Sequence, residues 1–288
     1  MKSTRFSFLV ALTVLGLTSL TRTAQAGILY GISNGFDNPA NNQIYQINPA
    51  SGAISSASVV TLSGFTVTNS LALAAHPTTG VLYGVIQTSG GPANRRLVTI
   101  DPMTGVATDI GALGGRRFAT LAFKPDGTLL GATGTNGSNP ETLFSISTTN
   151  ASTTLLLALG NGVNGETIAM HPNGLLYHSS GNSPALFESV DLGTNTVTSL
   201  GSASREMFAM GYFPDTGQML GSDNSTNFFS INIANGARTA IGTVIGPNST
   251  INRGLAYVAS VSSSAPEPGT LALLALGGTL VVVRRRRK

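Results

Sequence analysis

Three histidines, His76, His171 and His178, are the only imidazoles in this 288-residue chain. His76 and His171 each precede a proline, in "LALAAHPTTG" (71–80) and "IAMHPNG" (168–174), and the equivalent slot of two related turns holds Lys124 and Phe213. A slot that accepts His, Lys, His and Phe reads as a turn position rather than a metal-ligand set. The chain has no His-x-x-x-His pair and no Asp-x-Asp-x-Asp-Gly loop. Cysteine is absent, which excludes disulfides, thiol nucleophiles and zinc–thiolate sites. Serine is abundant, but no Gly-x-Ser-x-Gly elbow presents one, and no Gly-x-Gly-x-x-Gly opens a helix to cradle a phosphate. The expectation is no catalytic set, no metal and no cofactor.

One charged set does recur by position. Asn69, Arg116 and Arg117, Glu166, Arg205 and Glu206, and Arg253 stand just before short apolar runs in a chain with only 10% charged residues. Arg117, Glu166, Arg205, Glu206 and Arg253 are therefore the candidate ligand-binding residues, suited to a polar or anionic ligand such as a polysaccharide. The competing reading is a set of structural salt bridges between repeats.

The elements that must position these residues form a repeat. "ILYGIS" at 28, "VLYGVI" at 81, "TLLGAT" at 128, "LLYHSS" at 175 and "QMLGSD" at 218 align on Gly31, Gly84, Gly131, His178 and Gly221. A strand ending in a Pro- and Gly-containing turn precedes each internal copy, and a third and fourth strand follow. Four antiparallel strands per unit of 40–50 residues predict an all-β fold, a β-propeller of about five blades. The run "INRGLAYV" (251–258) matches a first strand, whereas the body opens at Gly27 on a second strand, so pairing the N- and C-terminal strands would complete one blade. Further strands within 53–70 would make six blades, and a β-sandwich or open meander is the alternative architecture. In rhythm the repeat resembles secreted propellers of the NHL-like and lactonase-like kind. That resemblance implies a ligand face formed by the entries to the innermost strands and by the second-to-third-strand loops.

Both termini read as address labels. Lys2 and Arg5, the apolar stretch from Phe6 to Leu20, and Ala24-Gln25-Ala26 make a signal peptide over 1–26, with Gly27 as the new N-terminus. At the other end Pro266-Glu267-Pro268 is followed by an uncharged run, Gly269 to Val283, and then by four arginines and a lysine. As a transmembrane helix that run would be about 22 Å long, a thin anchor with its cations on the cytoplasmic side. The tail resembles the PEP-CTERM sorting signal of exosortase-processed proteins. It implies a Gram-negative bacterial protein, exported and transiently tethered in the inner membrane, with signal peptidase and an exosortase as processing partners. The expected organisation is thus a signal peptide (1–26), a propeller (27–258), a linker (259–265) and the sorting signal (266–288).

Removing both labels reverses the charge. The pI of about 9.7 belongs to the whole chain, but residues 27–265 carry eight Lys and Arg against eleven Asp and Glu. A mildly acidic body offers no basic face for nucleic acid. The expectation is a non-enzymatic surface or matrix-associated binding or structural protein. A propeller enzyme of lactonase or polysaccharide-acting type is the alternative, and a partner-binding scaffold is a third.

Overall fold

The computed structural model describes residues 26–36, 38–134, 141–159, 167–181, 184–203 and 205–260. The signal segment, the sorting tail and Glu166 lie outside them. The chain begins with β1 (Ile28–Ser33), β2 (Gln43–Ile47) and β3 (Ile54–Val59), and a short β4 (Thr61–Leu62) leads onward. A first complete sheet follows in β5 (Val67–Ala75), β6 (Leu82–Thr88), β7 (Arg95–Ile100) and β8 (Val106–Ala112). The second is β9 (Phe118–Phe123), β10 (Leu129–Thr133), β11 (Thr142–Ile146) and β12 (Thr153–Ala158). The third comprises β13 (Thr167–Met170), β14 (Leu176–Ser179), β15 (Ala185–Asp191) and β16 (Thr196–Ala203). The fourth comprises β17 (Met207–Phe213), β18 (Gln218–Asp223), β19 (Asn227–Ile231) and β20 (Arg238–Thr243). The chain ends in β21 (Ile245–Gly246) and β22 (Thr250–Val258).

β22 returns to pair antiparallel with β1, Leu29 opposite Tyr257 and Gly31 opposite Leu255, so the fifth sheet runs β21-β22-β1-β2-β3. The protein is therefore a five-bladed propeller whose last blade is built from both ends of the body. The stretch 53–70 holds an outer strand, the two-residue β4 and the start of β5, and no further blade. One feature departs from the antiparallel expectation: β4 pairs parallel with β8, tying the exit of the fifth blade to the outer edge of the first.

Burial explains the strand order within each blade. The second strands β10 and β14 are buried at every position, because neighbouring blades cover both of their faces. The fourth strands β12 and β20 are largely exposed and correspondingly polar or mixed. Five apolar clusters fill the blade boundaries. Ile44 shares a cluster with Val98, Leu97 with Phe144, Leu143 with Val190, Phe187 with Phe229, and Phe228 with Tyr45, which closes the circle.

The aligned glycines sit at the centre of these second strands. Each lies between an aliphatic residue on the first strand and a large one on the third: Leu255, Gly31 and Tyr45 in the fifth blade, Leu121, Gly131 and Phe144 in the second. A Cβ at Gly31 would come within 2.6 Å of Tyr45 and Ile47. The third blade breaks the pattern, with Ile168, His178 and Glu188 in the same three places. His178 Nδ1 and Glu188 Oε2 are 3.0 Å apart and almost wholly buried, so a carboxylate and an imidazole occupy the volume that an aromatic ring over glycine fills elsewhere.

Candidate functional site

The inner strands β22, β5, β9, β13 and β17 surround the propeller axis, and each packs on the next. At their N-terminal ends the chain presents the recurring charged set. Arg117 precedes β9 and Glu206 precedes β17, as read from the sequence, whereas Asn69 and Arg253 lie inside β5 and β22, which begin earlier than expected.

Arg253 is the most constrained of these cations. Its guanidinium lies 3.9 Å from the centroid of the Phe208 ring, so it stacks across the boundary between the fifth and fourth blades. Its Nε is buried without a hydrogen-bond acceptor. Burial lowers its pKa to about 10, and the Glu206 carboxylate offsets part of that shift. Burial in turn pushes the Glu206 carboxyl above its usual range, with Arg253 acting in the opposite sense.

A third arginine, not among the candidates read from the sequence, joins this pair. Arg95, at the start of β7, donates from Nη1 to the Phe118 carbonyl at 2.7 Å and so reaches from the first blade to the second. Its Nε is also buried and unpartnered. Its pKa falls to about 10, first through burial and then through the nearby charges of Arg253 and Arg117. With pKa values of about 10, Arg95 and Arg253 remain cationic at neutral pH, and the charges of Arg253 from the fifth blade and Arg117 from the second both act on Arg95 in the first. No ion pair among the described residues neutralises Arg95, Arg117 or Arg253. The signal available for Arg95 was the basic end of the loop "QTSGGPANRR", a second-to-third-strand loop on the expected ligand face.

Arg205 does not join them. It is exposed, its Nη1 donates to the Ser225 hydroxyl, and its carbonyl accepts from Arg238 at 2.8 Å. Arg116 stacks on Phe144, 5.1 Å from the ring centroid, and braces its own blade. Of the described candidates, Arg117 and Arg253 share the cluster with Arg95, and the Glu206 carboxylate acts on Arg253 as a countercharge.

The opposite end of the axis differs in character. A cavity of about 650 Å³ opens there, walled by Ala74, Leu121, Ile168, Met210 and Leu255, one from each inner strand. His76 stands on its rim. Its Nδ1 accepts from the backbone N–H of Thr78 and Thr79, both at 3.3 Å, and its ring meets Phe123 edge-on at 5.0 Å. His171 does the same with Asn173 N–H at 3.2 Å and meets Tyr177 and Tyr212 edge-on. Both imidazoles thus close their turns, in the role the His/Lys/His/Phe slot implied. Among the described residues no three His, Asp or Glu side chains gather as a metal site.

Comparison with known proteins agrees with this architecture. A chain from the crystal structure of a nidogen/laminin complex superimposes with a TM-score of 0.52 at 11% identity, covering 81% of this chain and 98% of the other, a likeness of fold alone. No curated protein matches the sequence. Residues 264–288 match the PEP-CTERM protein-sorting motif, which marks the chain as an exported protein sorted by an exosortase at the membrane. Residues 63–259, most of the propeller, match the family described as a repeat of unknown function (DUF6923), and with more than half of its length covered the chain belongs to that family.

Proposed function

We propose that the exported body is a non-catalytic binding protein of the cell surface or extracellular matrix. Its channel mouth takes an anionic ligand, for which an acidic polysaccharide is the fitting class. The convergence of Arg95, Arg117 and Arg253 carries this reading. Arg95, tied to a backbone carbonyl, lies in the fields of Arg117 and of the stacked Arg253, which is costly, and an anion beside it would relieve the repulsion. Guanidinium forks match carboxylates in two-point contacts, and the low-dielectric walls of the mouth strengthen the field. Glu166, just before β13, belongs to the same rim by position, and Arg205 serves its outer edge. In this reading signal peptidase removes 1–26, the run 269–283 tethers the chain briefly, and the exosortase acts at Pro266-Glu267-Pro268. Nucleic acid is not a partner for so acidic a body.

The test is a panel of uronate-bearing and neutral glycans against the purified protein and Arg117→Gln. Binding is expected for acidic glycans only, weakening with salt, and at least about tenfold weaker in the variant. Equal binding by the variant, or a preference for neutral glycans, would overturn the proposal.

A further inference from the structure

This inference rests on the reading of residues 1–26 as a cleaved signal. The nitrogen of Gly27, one residue ahead of β1, donates to Asp215 Oδ2 at 2.8 Å. The Tyr257 hydroxyl donates to the other oxygen of the same carboxylate at 2.7 Å. Asp215 lies in the turn between β17 and β18, and Tyr257 lies on β22, so segments from the fourth blade and from both termini of the body meet at one carboxylate. A Cβ at position 27 would fall within 2.3 Å of the outer end of the Tyr257 ring, so a larger residue there would have to push that ring aside. Ala26 is exposed.

We propose that Asp215 and Tyr257 form a receptor for the chain's own α-ammonium, completed when the Ala26–Gly27 bond is cut. Hydrolysis adds the hydroxyl of one water to the Ala26 carbonyl carbon and a proton to the Gly27 nitrogen. The new carboxylate departs with the signal, and the ammonium stays. A neutral amide donor thereby becomes a cation with three N–H groups beside a carboxylate already in hydrogen-bond range, and charge-assisted hydrogen bonds of this kind are roughly twice as strong as neutral ones. Processing therefore pins β1, the second strand of the shared blade, to the fourth blade and to β22, so the ring is held more firmly after cleavage than before.

The groups that face the amine fix the sign of its pH dependence. Burial, then the hydrogen bond to Asp215 and that residue's charge, push the Tyr257 phenol up to about 12, so it remains a donor to Asp215 throughout the usable range. An α-amine titrates near 8 when free, and the carboxylate raises that value in the folded state. A base whose folded pKa is raised stabilises fully below its unfolded value, and loses that stabilisation as pH climbs through the raised one.

The test uses the full chain expressed in a host that processes it. N-terminal sequencing of the exported product is expected to begin at Gly27. Selective acetylation of its α-amine keeps an N–H donor at Gly27 and removes only the charge. At pH 6 the free-amine form is expected to melt about 2–4 °C above the acetylated form. The gap should close as pH rises past about 10, and Asp215→Asn should erase it. In the unaltered protein the amine should titrate above about 8. A first residue other than Gly27 overturns the cleavage reading and the proposal with it. A Gly27 terminus with equal melting of the two forms, a gap that survives Asp215→Asn, or an amine titrating at or below about 8 overturns the receptor alone.

Discussion

Arg253 has its guanidinium 3.9 Å from the Phe208 centroid and an Nε buried without an acceptor, whereas the Arg117 side chain makes no hydrogen bond or ion pair among the described residues. Truncating the two should therefore have different effects. Arg253→Gln loses a stack that joins two blades and leaves a smaller polar group in its place, a loss of about 1–3 kcal/mol. Arg117→Gln should change stability by less than about 1 kcal/mol, as for other half-exposed charges. Denaturant melts of the two single variants check this, and equal losses would show that Arg117 also serves the scaffold. The pair also marks how far the site was legible in the sequence. Arg117, Glu206 and Arg253 stand out in the sequence because they recur at the entries to inner strands, a property of spacing. Arg95 was missed because its place depends on a side chain that crosses to the Phe118 carbonyl, and no spacing encodes that reach. Arg205 fits the same spacing, while its guanidinium turns outward to Ser225.

At the scale of a strand, β14 is where the repeat departs from its own rule. Gly31, Gly131 and Gly221 each lie opposite an aromatic ring of the third strand, and Gly84 lies opposite Val98. His178 lies opposite Glu188 instead, both nearly inaccessible to solvent. Removing the imidazole takes away one hydrogen-bond partner of the buried Glu188 and opens a cavity, so His178→Gly should cost about 2–5 kcal/mol. The double variant His178→Gly, Glu188→Phe rebuilds the arrangement of the second and fourth blades and should recover most of that loss. Chemical denaturation of the single and double variants measures it. A double variant as unstable as the single would mean that the third blade has packed around the pair in a way the other blades cannot replace. The aligned glycines and the Pro- and Gly-containing turns made the blade strands readable in advance, because backbone crowding and chain reversal are local demands. The parallel pairing of β4 with β8 was not readable, because two residues, Thr61 and Leu62, carry no periodicity and meet their partners only once the ring has brought two blades together.

For the whole molecule, the closure of the ring by its two ends carries the most consequence. A propeller of open blades would leave the faces at one boundary bare, and here that boundary is spanned by β22. Leu255 packs into the core shared with the fourth blade, and Ala256 into the core shared with the first. Asn252 adds a buried polar link: its Oδ1 accepts from the Tyr45 hydroxyl at 2.9 Å, and its Nδ2 donates to the Ser222 hydroxyl at 3.0 Å, so one amide joins the N-terminal part of the fifth blade to the fourth. Burial drives the Tyr45 phenol pKa upward, so that hydroxyl stays a donor. Removing Asn252 alone would orphan two buried hydroxyls, whereas removing the strand leaves β1 as an unpaired inner edge and exposes apolar surface on both sides. Deleting 251–258 should therefore cost more than the roughly 5–15 kcal/mol by which a domain is stable, and the truncated body should lose its cooperative melt and aggregate through the free edge. Adding the missing strand back as a synthetic peptide should restore a cooperative transition whose midpoint rises with peptide concentration, as expected for a ligand that binds only the folded state. A truncated body that melts cooperatively at the original temperature without the peptide would show that four blades and a partial fifth are enough, and that the meeting of the termini does not hold the ring together.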